Sequence, residues 1–175
     1  SPYPRGGEIC ASTSGEIQSS IYTRWHDAGL RASGGGRDSS AFLARLITSA
    51  VEDGAKGIVL EAYGEGNFPS GDPRKPTEGA IYKALQAANE AGVAIVDCTQ
   101  VLHAEVDDGA YASGAWLPDV GAPNPADMTP STAFAKLMIL LTLSARAGWS
   151  AQQVATLFQR ALLGEMRRVD TQLSL

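Results

Sequence analysis

From Ser39 onward, apolar residues return at helical intervals. Phe42, Leu46, Ile47 and Val51 follow a serine cap and the pattern stops at Gly54, which predicts a helix buried along that stripe. Gly57-Ile58-Val59-Leu60-Glu61-Ala62 is a short apolar run, partly β-branched, of the kind that forms a strand covered on both faces. A polar loop rich in Gly and Pro, residues 63–77, leads to a second helical pattern with Ile81, Leu85 and Ala88 on one side, and Val93-Ala94-Ile95-Val96 reads as another buried strand. Strand, helix and strand at this spacing make a βαβ unit with parallel strands and a right-handed crossover. Two more helices follow. Thr129 caps one with Pro130 in its first position and Phe134, Leu137, Met138 and Leu141 on its stripe. Ser150 opens the other with Gln153 three residues on, a capping-box spacing, ahead of Val154, Leu157, Phe158 and Leu162. Gly148 and Gly164 stand where these helices should end. The expected fold class is α/β, a parallel sheet with helices on both faces.

The first 38 residues lack this regularity. Ser, Thr and Gly are frequent there, Gly34-Gly35-Gly36 reads as a flexible connector, and only Glu16 to Trp25 has a pattern compatible with a short helix or strand. We therefore expect an N-terminal arm or linker over 1–38, one α/β domain over 39–164, and a charged, frayed tail over 165–175. A chain of 175 residues suits a single domain with a sizeable core. Its net charge of -5, from 14 basic and 19 acidic residues with no basic stripe, argues against a nucleic-acid partner. The apolar run Leu137 to Leu143 is far too short to span a bilayer and no secretory pattern opens the chain, so we expect no membrane partner and a cytoplasmic location. Residue 1 is Ser rather than Met, which fits a piece of something longer.

Ligands of open parallel sheets bind beyond the carboxyl ends of the strands, near a reversal of strand order. Two loops leave such ends here. Tyr63-Gly64-Glu65-Gly66-Asn67-Phe68-Pro69 combines glycines that permit close backbone approach with an amide able to donate and accept. It is neither a dinucleotide fingerprint nor a phosphate-binding P-loop, because the required glycine and lysine spacings are absent, and a plain strand-to-helix connection would look the same. Cys98-Thr99-Gln100 leads to His103-Ala104-Glu105-Val106-Asp107-Asp108, whose acids lack the alternation of a calcium loop. Cys10, Cys98, His26 and His103 are too few for a disulfide framework or a metal set; Cys98 is better read as a small core residue than as a nucleophile with His103 as base, and His26 beside Trp25 as an aromatic contact. Asp127-Met128-Thr129-Pro130 is explained by the helix cap alone. No metal or other cofactor is expected. What remains is a polar, glycine-built edge carrying Asn67, Thr99 and Glu105, suited to a small polar ligand and lacking an activated nucleophile.

Four ordered motifs carry a resemblance. Gly57 to Asn67, Gly92 to Gln100, Tyr111-Ala112-Ser113-Gly114, and Asp127-Met128-Thr129 ahead of Ala135-Lys136-Leu137 together resemble the C-terminal domain of bacterial-type L-asparaginases, over about Gly54 to Gly164. The resemblance implies the smaller, Rossmann-like domain of that fold. In the family a larger N-terminal domain carries the catalytic threonines, and the smaller domain of a neighbouring subunit helps close the active site in a homo-oligomer. Asn67, with Gly66 before it, falls on the family's Gly-x-Gly-Asn, and Glu105 on the glutamate directed at the substrate's amino group; both are implied to bind substrate, with Thr99 nearby. The family's Gly-Gly-Thr-Ile segment is absent, its closest string being Gly6-Gly7-Glu8-Ile9, and so are the Thr-Asp-Thr segment and its lysine. No catalytic residue is therefore assigned. The arginine and cysteine that bind regulatory asparagine in the cytoplasmic type correspond to Glu61 and Val101, and Glu61 would repel an α-carboxylate, so that effector site is not carried over.

Three functions compete. The chain is expected to supply substrate-positioning residues to an amidohydrolase hydrolysing L-asparagine to L-aspartate and ammonia, whose nucleophile lies on an N-terminal domain in the same or a neighbouring chain. The alternative is a non-catalytic small-ligand-binding or assembly module on the same fold. A self-sufficient hydrolase using Thr99 or Cys98 is the least supported.

Overall fold

The computed structural model describes residues 9–10, 20–24, 39–62, 68–99, 115–122 and 127–166. Four strands form one sheet in the order β1 (Ile9–Cys10), β2 (Ser20–Arg24), β3 (Gly57–Ala62), β4 (Ala94–Thr99). β2, β3 and β4 run parallel, and β1 pairs antiparallel with β2 at the edge. The sheet is thus mixed rather than purely parallel, and within the Glu16 to Trp25 pattern Ser20–Arg24 form a strand. β1 is not evident from the sequence, and the pattern around β2 leaves helix and strand open, because both are short and their place depends on pairing with residues distant along the chain.

Helix α1 (Ser39–Glu52) connects β2 to β3, and α2 (Ala80–Glu90) connects β3 to β4. The strand order advances in one direction, so two crossovers of the same hand put both helices on one face. The alternation of side chains along the strands then sorts the core. Ile58, Leu60, Ala62 and Ile95 pack with α1 and α2, whereas Val59, Ala94, Val96 and Cys98 pack with α3 (Pro130–Ala147) and α4 (Ala151–Phe158) on the other face. Helices cover both faces and both strands are buried, as the patterns predict, with β4 extending to Thr99.

The predicted caps are present. Thr129 Oγ1 accepts the Thr132 N–H at 3.3 Å with Pro130 in the first turn, and Ser150 and Gln153 make the reciprocal capping box at 3.2 and 2.8 Å. Gly148 ends α3 at φ +69°, where only glycine is unstrained. α2 has no capping side chain; instead the Ser70 carbonyl accepts the N–H groups of Ile81 and Tyr82 at 2.9 and 3.0 Å. That carbonyl lies so close to Gly79 that a Cβ there would overlap it.

Several stripes differ from expectation. On α1 the buried pair is Leu43 and Ile47, while Phe42 is 53% exposed. On α3 the buried set is Ala133, Lys136, Leu137, Leu140 and Leu141, with Phe134 only partly covered. α4 stops at Phe158, so Leu162 lies beyond it, exposed, and Gly164 caps no helix. Glu165 and Met166 are not frayed. Met166 is buried, and the Glu165 carboxylate pairs with the Lys136 ammonium at 2.5 Å while accepting the N–H groups of Leu162 and Leu163. Lys136 also donates to the Arg160 carbonyl and sits 5.4 Å from the centre of the Phe158 ring.

Candidate functional site: two loops at the carboxyl edge

β3 ends at Ala62 and β4 at Thr99, and these residues are partners in the parallel register. The segment 63–67, with Gly66 and Asn67, and the segment 100–114, with Glu105, therefore leave the sheet from neighbouring points. They also rejoin the domain at neighbouring points. Phe68 follows the first segment and Trp116 lies just past the second, and their rings meet with centroids 6.5 Å apart. The Tyr82 ring of α2 lies 5.5 Å from that of Trp116. Phe68, Tyr82, Trp116, Leu117 and Val120 belong to the core shared with α1 and α2, the last two in a short 3-10 helix, Leu117–Val120. Aromatic pairs of this kind add about 0.5–1.5 kcal/mol to the area they bury. The two segments thus have common roots and common anchors.

Gly66, Asn67, Glu105 and the candidates His103, Asp107, Asp108 and His26 lie outside the described residues. Thr99 is the last residue of β4 and stands at the expected edge. The reversal of strand order that would open a crevice there does not occur among the described strands. Trp116, Leu117, Val120 and Ala122 pack with α1 and α2, and Met128 packs with α3 and α4. Asp127 precedes the Thr129 cap by two residues.

The electrostatics of the edge are not legible in the sequence. Glu61 and Asp97 are 0% and 1% exposed, towards the ends of β3 and β4. Alternation puts Glu61 on the α3 and α4 face, beside Cys98, and Asp97 on the face of Leu60. Burial pushes the Glu61 carboxyl up to about 7, since an ionised acid loses its hydration there. Burial, with the charges of Asp97 and Glu61 adding to it, raises the Cys98 thiol far above the ordinary range, and Cys98 Sγ donates to the Leu60 carbonyl at 3.5 Å. Cys98 is a core residue, as expected. No group of three or more His, Cys, Asp or Glu able to hold a metal is present among the described residues, and no described helix is long and apolar enough to cross a membrane.

Small-molecule sites of α/β domains form at the carboxyl ends of adjacent parallel strands, and the two segments start side by side at such ends. Comparison makes this specific. Residues 40–158 match the family model of the glutaminase/asparaginase C-terminal domain, and the chain belongs to that family. It is 34% identical over 123 residues to the 60 kDa lysophospholipase of Mus musculus, covering 70% of this chain and 20% of that protein. It is 31% identical over 99 residues to L-asparaginase 1 of Escherichia coli (strain K12), covering 57% of this chain and 27% of that one. L-asparaginase I of Vibrio cholerae superposes with a TM-score of 0.58 at 34% identity, over 71% of this chain and 34% of that chain. The chain spans about a fifth to a third of the length of these relatives. In full-length members this domain pairs with an N-terminal asparaginase domain.

Proposed function

We propose that this chain supplies substrate-positioning residues to a composite amidohydrolase site, with Glu105 pairing the ammonium of a small amino-acid amide and Asn67, Gly66 and Thr99 holding its polar groups. Hydrolysis of L-asparagine is the reaction we assign to the full-length protein, its threonine nucleophile residing on an N-terminal domain of the same or a neighbouring chain in a homo-oligomer. The observation that carries this reading is the shared root and anchor of the two loops: Ala62 beside Thr99 at one end and Phe68 against Trp116 at the other. Two segments tethered so closely at both ends can meet one small ligand without a large ordering cost.

A second reading is favoured by a specific observation. Similar stretches occur in proteins named as a lysophospholipase and as asparaginases, so the domain itself does not fix the reaction. On that reading it is a ligand-binding or assembly module.

Binding is the direct test. Asparagine titrated into the isotope-labelled chain should shift amide resonances in 63–68 and 99–106 together, and Glu105→Ala should abolish the shifts in both segments. Shifts confined to one segment, or unchanged by Glu105→Ala, would contradict the composite site.

A further inference from the structure

Of the large apolar residues exposed among those described, all but Phe42 belong to the α3 and α4 layer: Ile139 at 57% and Leu143 at 45% on α3, and Leu162 at 49% and Leu163 at 93% in the turn after α4. They share one side of it. Ile139 and Leu143 follow Lys136 by three and seven residues, which puts them in line with its side chain on the helix surface. The Glu165 carboxylate that pairs with Lys136 also accepts the N–H groups of Leu162 and Leu163, at 3.0 and 2.7 Å, so the two leucines are brought to that same side. Ala135, exposed one turn before Ile139, leaves room for a close approach. Single exposed apolar residues are ordinary, but four large ones together, two of them on a pinned backbone, form a surface prepared for contact.

Charge distinguishes this layer from the rest. From Met128 to Gly164 the sequence has no Asp or Glu, although the chain carries 19 acidic residues and a net charge of -5. The other layer carries exposed Glu52, Asp53, Glu78 and Glu90 at or near the ends of α1 and α2. Two copies of an acidic chain repel, and an approach through the acid-free layer keeps the acids of each copy on its far side. The helix face is also its own complement. In an antiparallel pair of α3 helices related by a two-fold axis, Ile139 of each copy stands against the small Ala135 of the other.

We propose that the outer face of α3, with Leu162 and Leu163, is where a second copy of this chain docks. α3 has 18 residues and is about 27 Å long, so one face of it with the adjoining turn falls short of the roughly 800 Å² per partner that a stable complex buries. The pair is therefore a reversible dimer. Leu137 and Leu141 lie against Gly57, at the start of β3, so this part of α3 is towards the amino edge of the sheet. Docking there leaves the carboxyl edge free, and the inference stands whatever reaction the domain serves.

Sedimentation equilibrium of the purified chain over a wide concentration range tests this. The wild type should show a monomer–dimer equilibrium; Ile139→Glu and Leu163→Glu should each weaken it about tenfold or more, and Phe42→Glu, on the opposite layer, should not change it. All three residues are exposed, so the fold tolerates the changes. Amide shifts that depend on concentration should map to 135–146 and 160–165. A wild type that stays monomeric at the highest concentration overturns the proposal and leaves the face to the N-terminal domain of full-length family members. A dimer unchanged in either Ile139→Glu or Leu163→Glu, or weakened equally by Phe42→Glu, overturns it too.

Discussion

At Cys98 the sequence and its chemistry pull apart. A cysteine near the end of a strand beside Thr99, with a histidine five residues on, invites a nucleophile-and-base reading, yet the thiol is fully buried, bonded to the Leu60 carbonyl, and raised by burial and two neighbouring acids. A thiol that does not ionise does not attack. In a Cys10→Ser background, a disulfide reagent at pH 8 should leave Cys98 unmodified in the native chain and modify it rapidly in denaturant; fast native modification would contradict the burial. Glu61 and Asp97 show why this part of the site is illegible in the sequence. Hydropathy marks Gly57 to Ala62 as a buried strand, but whether an acid inside such a run is buried with it depends on packing against elements far along the chain.

At the scale of elements, local chemistry is legible and long-range pairing is not. The capping box, the N1 proline and the glycine after α3 act within a few residues, so sequence alone locates them. On α1 the expected Ile47 is buried and Val51 packs against the core, but Leu43 takes the place of Phe42, because a helix rich in apolar residues has more than one plausible buried face. The C-terminal segment departs from expectation for a different reason: Glu165 is charged, and only its contact with Lys136, distant along the chain, makes it structural. Burial alone would raise the Glu165 carboxyl, but the hydrogen bond from Lys136 and the N–H groups of Leu162 and Leu163 outweigh it and lower it to about 2. A depressed folded value means this stabilisation is complete above the ordinary value of 4.5 and is lost as pH falls towards 2. Glu61 works in the opposite sense, favouring the fold at low pH and losing that advantage between 4.5 and about 7. Urea unfolding at several pH values should give Glu165→Gln a loss of about 3 kcal/mol at pH 6, because it leaves Lys136 buried without its partner, with a flattened acid limb. An unchanged midpoint at pH 6 would show the pair to be dispensable.

At the scale of the molecule, the described residues form two cores, one on each face of the sheet. That arrangement is a consequence of strand order. Two same-handed crossovers fill one face, and α3 and α4 cover the second. The family's threonine segments are missing from the sequence, which is why we place bond-making on another domain. Ammonia release from asparagine and glutamine by the purified 175-residue chain tests this most directly. The account predicts no turnover above a denatured control for the wild type, Thr99→Ala and Glu105→Ala alike, with activity appearing only when the N-terminal domain is present. Turnover by the chain alone that survives purification to homogeneity and disappears in Thr99→Ala would contradict it.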